Sequence, residues 1–150
     1  MLLRKARIQD VENILHLIDY YAKQELMLPR TLASLYRQIR DYTVLEINDQ
    51  IVGVGALQVI WNDLAEIRSL SIHPDFNRKG LGRKMVNRLL EETQELGIAK
   101  AFTLTYQPGF FQKCGFSIVE KEELPQKVWT ECINCPKFPS CDEIAMVHRL

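Results

Sequence analysis

Leu70-Ser71-Ile72-His73-Pro74-Asp75-Phe76-Asn77-Arg78-Lys79-Gly80-Leu81-Gly82 is the stretch on which the fold turns. Upstream, Leu64 to Ile72 reads as an apolar strand, ended by His73-Pro74-Asp75, since proline has no N–H for a ladder. Downstream, Met85, Val86, Leu89, Leu90 and Thr93 recur at steps of three and four. That is the buried stripe of a helix running to about Leu96, with Gly97 as its stop. Strand, glycine loop and helix follow one another directly.

The charges on this helix run backwards. Arg78, Lys79, Arg83 and Lys84 crowd its start, where the macrodipole is positive and free N–H groups point outward. Glu91, Glu92 and Glu95 sit at its negative end. Each misplaced cation is unfavourable by a few tenths of a kcal/mol, roughly, so the cluster calls for a compensating anion. Gly80 and Gly82 let backbone N–H groups approach a phosphate closely, and a pyrophosphate is the natural occupant. A solvated basic face is the alternative. The loop lacks the P-loop pattern and the third glycine of the dinucleotide fingerprint, so ATP and NAD are poor fits.

Outward from the loop, Leu2 to Lys5 reads as a strand and Asp10 as the cap of a helix striped by Val11, Ile14, Leu15, Ile18, Tyr21 and Ala22. Leu28-Pro29-Arg30 breaks it, and a shorter helix carries Leu32, Leu35, Tyr36 and Ile39. Thr43 to Ile47 and Ile51 to Ile60 read as a hairpin about Asn48-Asp49-Gln50. After the glycine-loop helix come a strand from Ala99 to Tyr106, a short helix from Pro108 to Cys114, and a strand from Phe116 to Val119. The order βααβββαβαβ plus a tail predicts an α/β (α+β) fold, a mixed sheet flanked by helices. One domain is expected over residues 1–150, with 127–142 as a cysteine-bearing appendage.

Composition narrows the partners. Lys+Arg and Asp+Glu stand at 19 each, so no global field attracts nucleic acid or a membrane surface. No apolar run nears the roughly 20 residues that span a bilayer, and the first residues do not read as a signal peptide. A cytoplasmic location follows as the expectation, with the four cysteines reduced or metal-bound rather than in disulfides. The sequence leaves a homodimer open.

The stretch Leu70 to Gly82 resembles the acetyl-CoA motif of the GNAT superfamily of N-acetyltransferases, and Phe110-Phe111-Gln112-Lys113-Cys114-Gly115-Phe116 resembles that family's later helix-strand signature. The family places Gln or Arg where Asn77 stands here. The resemblance implies a mostly antiparallel central sheet whose strand Leu64 to Ile72 splays from the next one, with acetyl-CoA in the V-shaped gap. It implies that Leu70, Ser71 and Ile72 hold the pantetheine arm and acetyl carbonyl. It likewise implies that Arg78, Lys79, Gly80, Leu81, Gly82 and Arg83 hold the pyrophosphate. Leu28-Pro29-Arg30, Asp63 to Leu70, Leu104-Thr105-Tyr106, Leu124 to Trp129 and the segment ending Cys141-Asp142-Glu143 are similar to the short stand-alone bacterial N-acetylglutamate synthases, which acetylate the α-amine of glutamate at the entry to arginine synthesis.

Direct acetyl transfer needs a base for the ammonium, a donor for the developing oxyanion and a leaving thiolate. Strand alternation puts Glu66, Arg68, Leu70 and Ile72 on one face, making Glu66 the nearest base, directly or through water; a plain Glu66–Arg68 pair is the alternative. His73 reads as a turn residue. Phe111 occupies the position where many members carry a general-acid tyrosine, so Tyr106 is the substitute candidate. Arginine binds carboxylate bidentately, which nominates Arg68 and Arg30 for an amino-acid substrate, with Lys127 as a third candidate. Cys132, Cys135 and Cys141 offer three of the four ligands of a closed zinc site, which Asp142 or His148 could complete; reduced, packed cysteines are the preferred reading, so no metal is expected, and Cys114 is expected in the core. Acetylation of another small amine and a nonenzymatic acyl-CoA sensor are the competing readings.

Overall fold

In the computed structural model, residues 1–125, 128 and 142–150 are described. Along the chain run β1 (Leu2–Lys5), α1 (Val11–Ala22), α2 (Leu32–Arg37), β2 (Tyr42–Ile47), β3 (Gln50–Trp61) and β4 (Leu64–Ile72). Then come α3 (Leu81–Glu95), β5 (Lys100–Thr105), α4 (Pro108–Lys113), β6 (Ser117–Ile118) and β7 (Ile144–Arg149). The strands form one sheet in the order β1-β2-β3-β4-β5-β7-β6. Its neighbours pair antiparallel except β4 with β5, which run parallel.

The periodicities explain both layers. The stripe Val11, Ile14, Leu17 and Ile18 of α1 packs with Leu35 of α2 onto Tyr42, Val44 and Val54. On the opposite face Met85, Val86 and Leu89 of α3 pack onto Leu57, Ala65 and Ile67. The β2–β3 hairpin turns through Asn48 and Asp49, both left-handed at φ 51° and 63°, as a two-residue turn requires.

Three sequence expectations change. Asp10 does not cap α1. Its carboxylate accepts the Arg7 N–H at 2.7 Å, closing the 3-10 turn before the helix, and takes two bonds from Arg4 at 2.7 and 3.1 Å. Those Arg4 hydrogen bonds hold the Asp10 carboxyl below the usual carboxylate range despite its burial. Second, the tail is a strand. Ile144–Arg149 enters the sheet between β5 and β6, and a partner so distant in sequence leaves no local signal.

Third, β4 does not alternate throughout. Val54 faces Ser71 and Ala56 faces Arg68, so Gly55 alone opposes Ser69 and Leu70. This is a bulge, with Ser69 left-handed at φ 58°. It flips the parity of the rest of the strand. Ala65 and Ile67 before the bulge, and Leu70 and Ile72 after it, all belong to the α3-side core. Glu66 and Arg68 therefore do not share a face with Leu70 and Ile72, contrary to simple alternation.

Candidate active site

The parallel contact between β4 and β5 is short. Only Ala65↔Ala101 and Glu66↔Phe102 pair, whereas β5 stays paired with β7 to Thr105. Beyond Glu66 the strands part, as the family resemblance implied. The gap opens into a cleft of about 1370 Å³, walled by the end of α1 and the loop after it, β4, the loop into α3, the end of β5, and α4.

One half of this cleft is built for an anion. Arg78 and Gly80 are left-handed at φ 64° and 76°, the kind of backbone that gathers successive N–H groups into a concave nest. The first bond across the start of α3 runs from the Lys84 N–H to the Gly80 carbonyl, so the N–H groups of Leu81, Gly82 and Arg83 lack intrahelical partners. Arg78, Gly80, Leu81, Gly82 and Arg83 all line the cleft. Lys79 does not; its Nζ lies 5.3 Å above the Phe76 ring. Gly82 is glycine for a packing reason: a Cβ there would come within 3.1 Å of the Phe110 ring.

The reversed helix charge resolves asymmetrically. At the acidic end Glu91 and Glu95 each meet Arg88 at 3.5 Å, and Glu92 meets Lys5 at 3.0 Å. At the basic end no ion pair holds Arg78, Arg83 or Lys84 among the described residues. Unsatisfied N–H groups and unbalanced cations meet at one place, and a pyrophosphate fits that donor set.

The strand edge between the halves is also unusual. Thr103 on β5 donates its hydroxyl to the Ile67 carbonyl at 2.9 Å, where the strands separate. Tyr21, at the end of α1, donates its hydroxyl to the Ile72 carbonyl. Leu70 and Ile72 line the cleft. Ser71 is buried away from it, its Oγ 3.2 Å from the Ser69 carbonyl and 3.4 Å from Met27 Sδ. Sequence reading placed Tyr21 only in a core stripe and gave Thr103 no role. A hydroxyl on an apolar stripe, and another inside an apolar strand, were the available signals.

The other half mixes charges. Glu66 and Arg68 line it with side chains only 13% and 8% exposed, and Arg68 Nη1 lies 3.4 Å from Glu66 Oε1. Both readings offered for these residues are compatible with that geometry, because the pair sits in the cleft wall. Arg30, from the loop after α1, lines the same cleft, as do Glu25, at φ 60°, and Glu143, neither of which the sequence nominated. Burial pushes the Asp41 carboxyl up, with Arg68 pulling it down. Tyr106 is at the end of β5, and its hydroxyl donates to Asp142 at 2.6 Å.

Neighbouring candidates settle more simply. His73 Nδ1 accepts the Asp75 N–H at 3.2 Å, as a turn residue would. Phe111 is buried between Phe110 and Phe116. Cys114 is in the core, and burial pushes its thiol up. Lys127, Cys132, Cys135 and Cys141 lie outside the described residues, among which no cluster of His, Cys, Asp and Glu is placed to hold a metal. No described helix is long and apolar enough to cross a membrane.

Known proteins resemble this chain in sequence and fold. The pattern of the Acetyltransferase (GNAT) family matches residues 8–116. An uncharacterised N-acetyltransferase of Chlorobaculum tepidum is 40% identical over 98% of this chain and 95% of its own length. A Mycobacterium tuberculosis amino-acid acetyltransferase is 36% identical over 85% of this chain and 75% of its own. Among solved structures, a Mycobacterium tuberculosis protein in complex with CoA superposes with a TM-score of 0.87 at 30% identity, covering 100% of this chain and 99% of that one.

Proposed function

Because the chain belongs to the acetyltransferase (GNAT) family and is an enzyme of that acetyl-CoA-using class, we propose that its acceptor is the α-amine of an amino acid, glutamate foremost. The observation that carries this reading is the convergence of Arg30 and Arg68, from separate elements, on one cleft that also holds Glu25, Glu66 and Glu143. A uniform basic patch would suit a plain anion. A mixture of arginines and carboxylates suits a substrate bearing both carboxylate and ammonium charge. The amino-acid acetyltransferase of Mycobacterium tuberculosis and the likeness to short N-acetylglutamate synthases point the same way. Such a product is the entry compound of arginine synthesis.

Acetyl-CoA supplies a thioester, which the neutral amine attacks to give the amide and free thiol. Arg78 and the N–H groups at the start of α3 would hold the pyrophosphate. The Leu70 N–H would face the acetyl carbonyl and stabilise the oxyanion as it forms. Glu66 would take the ammonium proton directly or through water, held in place by Arg68. Arg68 and Arg30 would bind the substrate carboxylates. Tyr106 would give its proton to the leaving sulfur, turning its hydroxyl away from Asp142, to which it donates in the free protein. Transfer is direct: the Cys114 thiol, buried and raised, is no acyl carrier.

A thiol-release assay with acetyl-CoA against the common amino acids tests the acceptor. Glutamate should give the highest kcat/KM, and turnover confined to amines without a carboxylate would reject this reading.

A further inference from the structure

The edge of β4 that faces the gap has a register, and side-chain hydroxyls hold both of its ends. His73 donates its N–H to Val52 on β3 at 2.7 Å, so Ile72, one residue earlier, turns its own N–H and carbonyl away from β3 into the gap. Ile67 also faces the gap, since Thr103 of β5 reaches its carbonyl. Ile72 lies five positions after Ile67, an odd interval, and the bulge at Ser69 supplies the missing step. Between them Leu70 turns the same way. With Thr103 on the Ile67 carbonyl and Tyr21 on the Ile72 carbonyl, Leu70 is the residue of this edge whose carbonyl neither hydroxyl occupies.

We propose that Tyr21 is a positioning residue for acetyl transfer: by occupying the Ile72 carbonyl it directs the donor's amide-bearing arm to Leu70, and so fixes where along β4 the acetyl carbonyl comes to rest. The inference rests on the acetyl-CoA reading above. Through its bond to the Ile72 carbonyl, one phenol joins the end of α1 to the end of β4. Burial raises the phenol above its ordinary value, which keeps the O–H in place to donate at neutral pH.

If the arm could use Ile72 instead of Leu70, it would sit two residues, about 6.6 Å, further along the strand. It would still bind, because the pyrophosphate contacts and main-chain bonds survive, but its carbonyl would miss the amine. Misplacement of even about 1 Å can cost on the order of a hundredfold in rate.

The experiment is Tyr21→Phe, which keeps the ring. CoA affinity is read by calorimetry, and kcat by thiol release at saturating acetyl-CoA and amine. Tyr21→Phe should lower kcat at least about tenfold while the CoA Kd stays within about threefold. A kcat within twofold of the parent, or equal losses in kcat and CoA affinity, overturns the proposal. Parent protein that fails to bind CoA would remove the acetyl-CoA reading and this inference together. A parent that binds and turns over while Tyr21→Phe matches it removes this inference alone.

Discussion

The two halves of the cleft are assembled in opposite ways. The phosphate half comes from one continuous run, Asn77 to Arg83, and among the described residues none of its cations meets a carboxylate. The amine half draws on positions 25, 30, 66, 68, 106 and 143, and its best-defined arginine already holds a glutamate. In the first half the charge waits for its partner. In the second the ligand must enter a cleft wall whose largely covered Arg68 and Glu66 already face one another. A polyanion can be held by unbalanced cations at a helix start, whereas a small zwitterion needs charges of both signs held rigidly.

The amine half should respond most steeply to a single change. Arg68→Ala removes a buried ionic partner, and we expect kcat/KM for the amino acid to fall by about 2–5 kcal/mol, roughly thirtyfold to several thousandfold. CoA affinity should hold within about twofold, since the phosphate half lies elsewhere. Because the change also removes the guanidinium beside Glu66, Arg68→Lys is the matched control: it keeps the charge and loses the bidentate fork. Equal losses of CoA affinity would erase the division between the halves. In the phosphate half, Gly82→Asp should weaken CoA by about a hundredfold by placing a carboxylate at the start of α3, where the ligand's own charge must sit. The Phe110 ring, 3.1 Å from the new Cβ, must also give way. Calorimetry with unchanged CoA affinity would remove the loop from the site.

The same division explains what the sequence disclosed. A site made from one continuous loop carries its whole pattern in neighbouring residues. Glycine spacing, reversed helix charge and strand-loop-helix order were therefore all visible, and the structure lines the cleft with six residues of that run. Glu25 and Glu143 reach the cleft only through tertiary folding, and nothing local marks them. The Ser69 bulge was hidden for a related reason. Leu64 to Ile72 reads as an unbroken strand, and the extra residue appears only in its register against Gly55 on β3. Asp10 misled differently: it precedes α1 as a cap should, yet Arg4, six residues earlier, supplies the stronger partner. The β7 strand needed its place between β5 and β6 before Ile144–Arg149 could be told from an irregular tail.

Salt separates the halves with a smaller effect. Unbalanced, solvent-facing cations are screened once the Debye length falls from about 10 Å at 0.1 M toward about 3 Å at 1 M, while a buried pair is screened much less. Between low salt and about 0.5 M, CoA Kd should rise roughly tenfold and the amino-acid KM should change less than about twofold. A parallel salt response in both would mean that the amine half also binds through exposed charge.

The smallest effect lies within α3 and turns on sign. Arg83 stands at the positive end of the helix with no carboxylate against it among the described residues, so in the free protein it works against the macrodipole. Arg83→Gln should therefore stabilise the ligand-free protein by a few tenths of a kcal/mol, about 1 °C in melting temperature, while weakening CoA several-fold. Glu92, at the opposite end, is also misplaced, but Lys5 holds it at 3.0 Å. Glu92→Gln loses a partly exposed pair and relieves an unfavourable dipole contact, two small terms of opposite sign, so stability should stay within about 0.5 kcal/mol and CoA affinity should not move. Differential scanning calorimetry with and without CoA reads both variants. If Arg83→Gln lowers the melting temperature of the free protein, its guanidinium has a stabilising contact within the fold, and the basic end of α3 is not held in readiness for an anion.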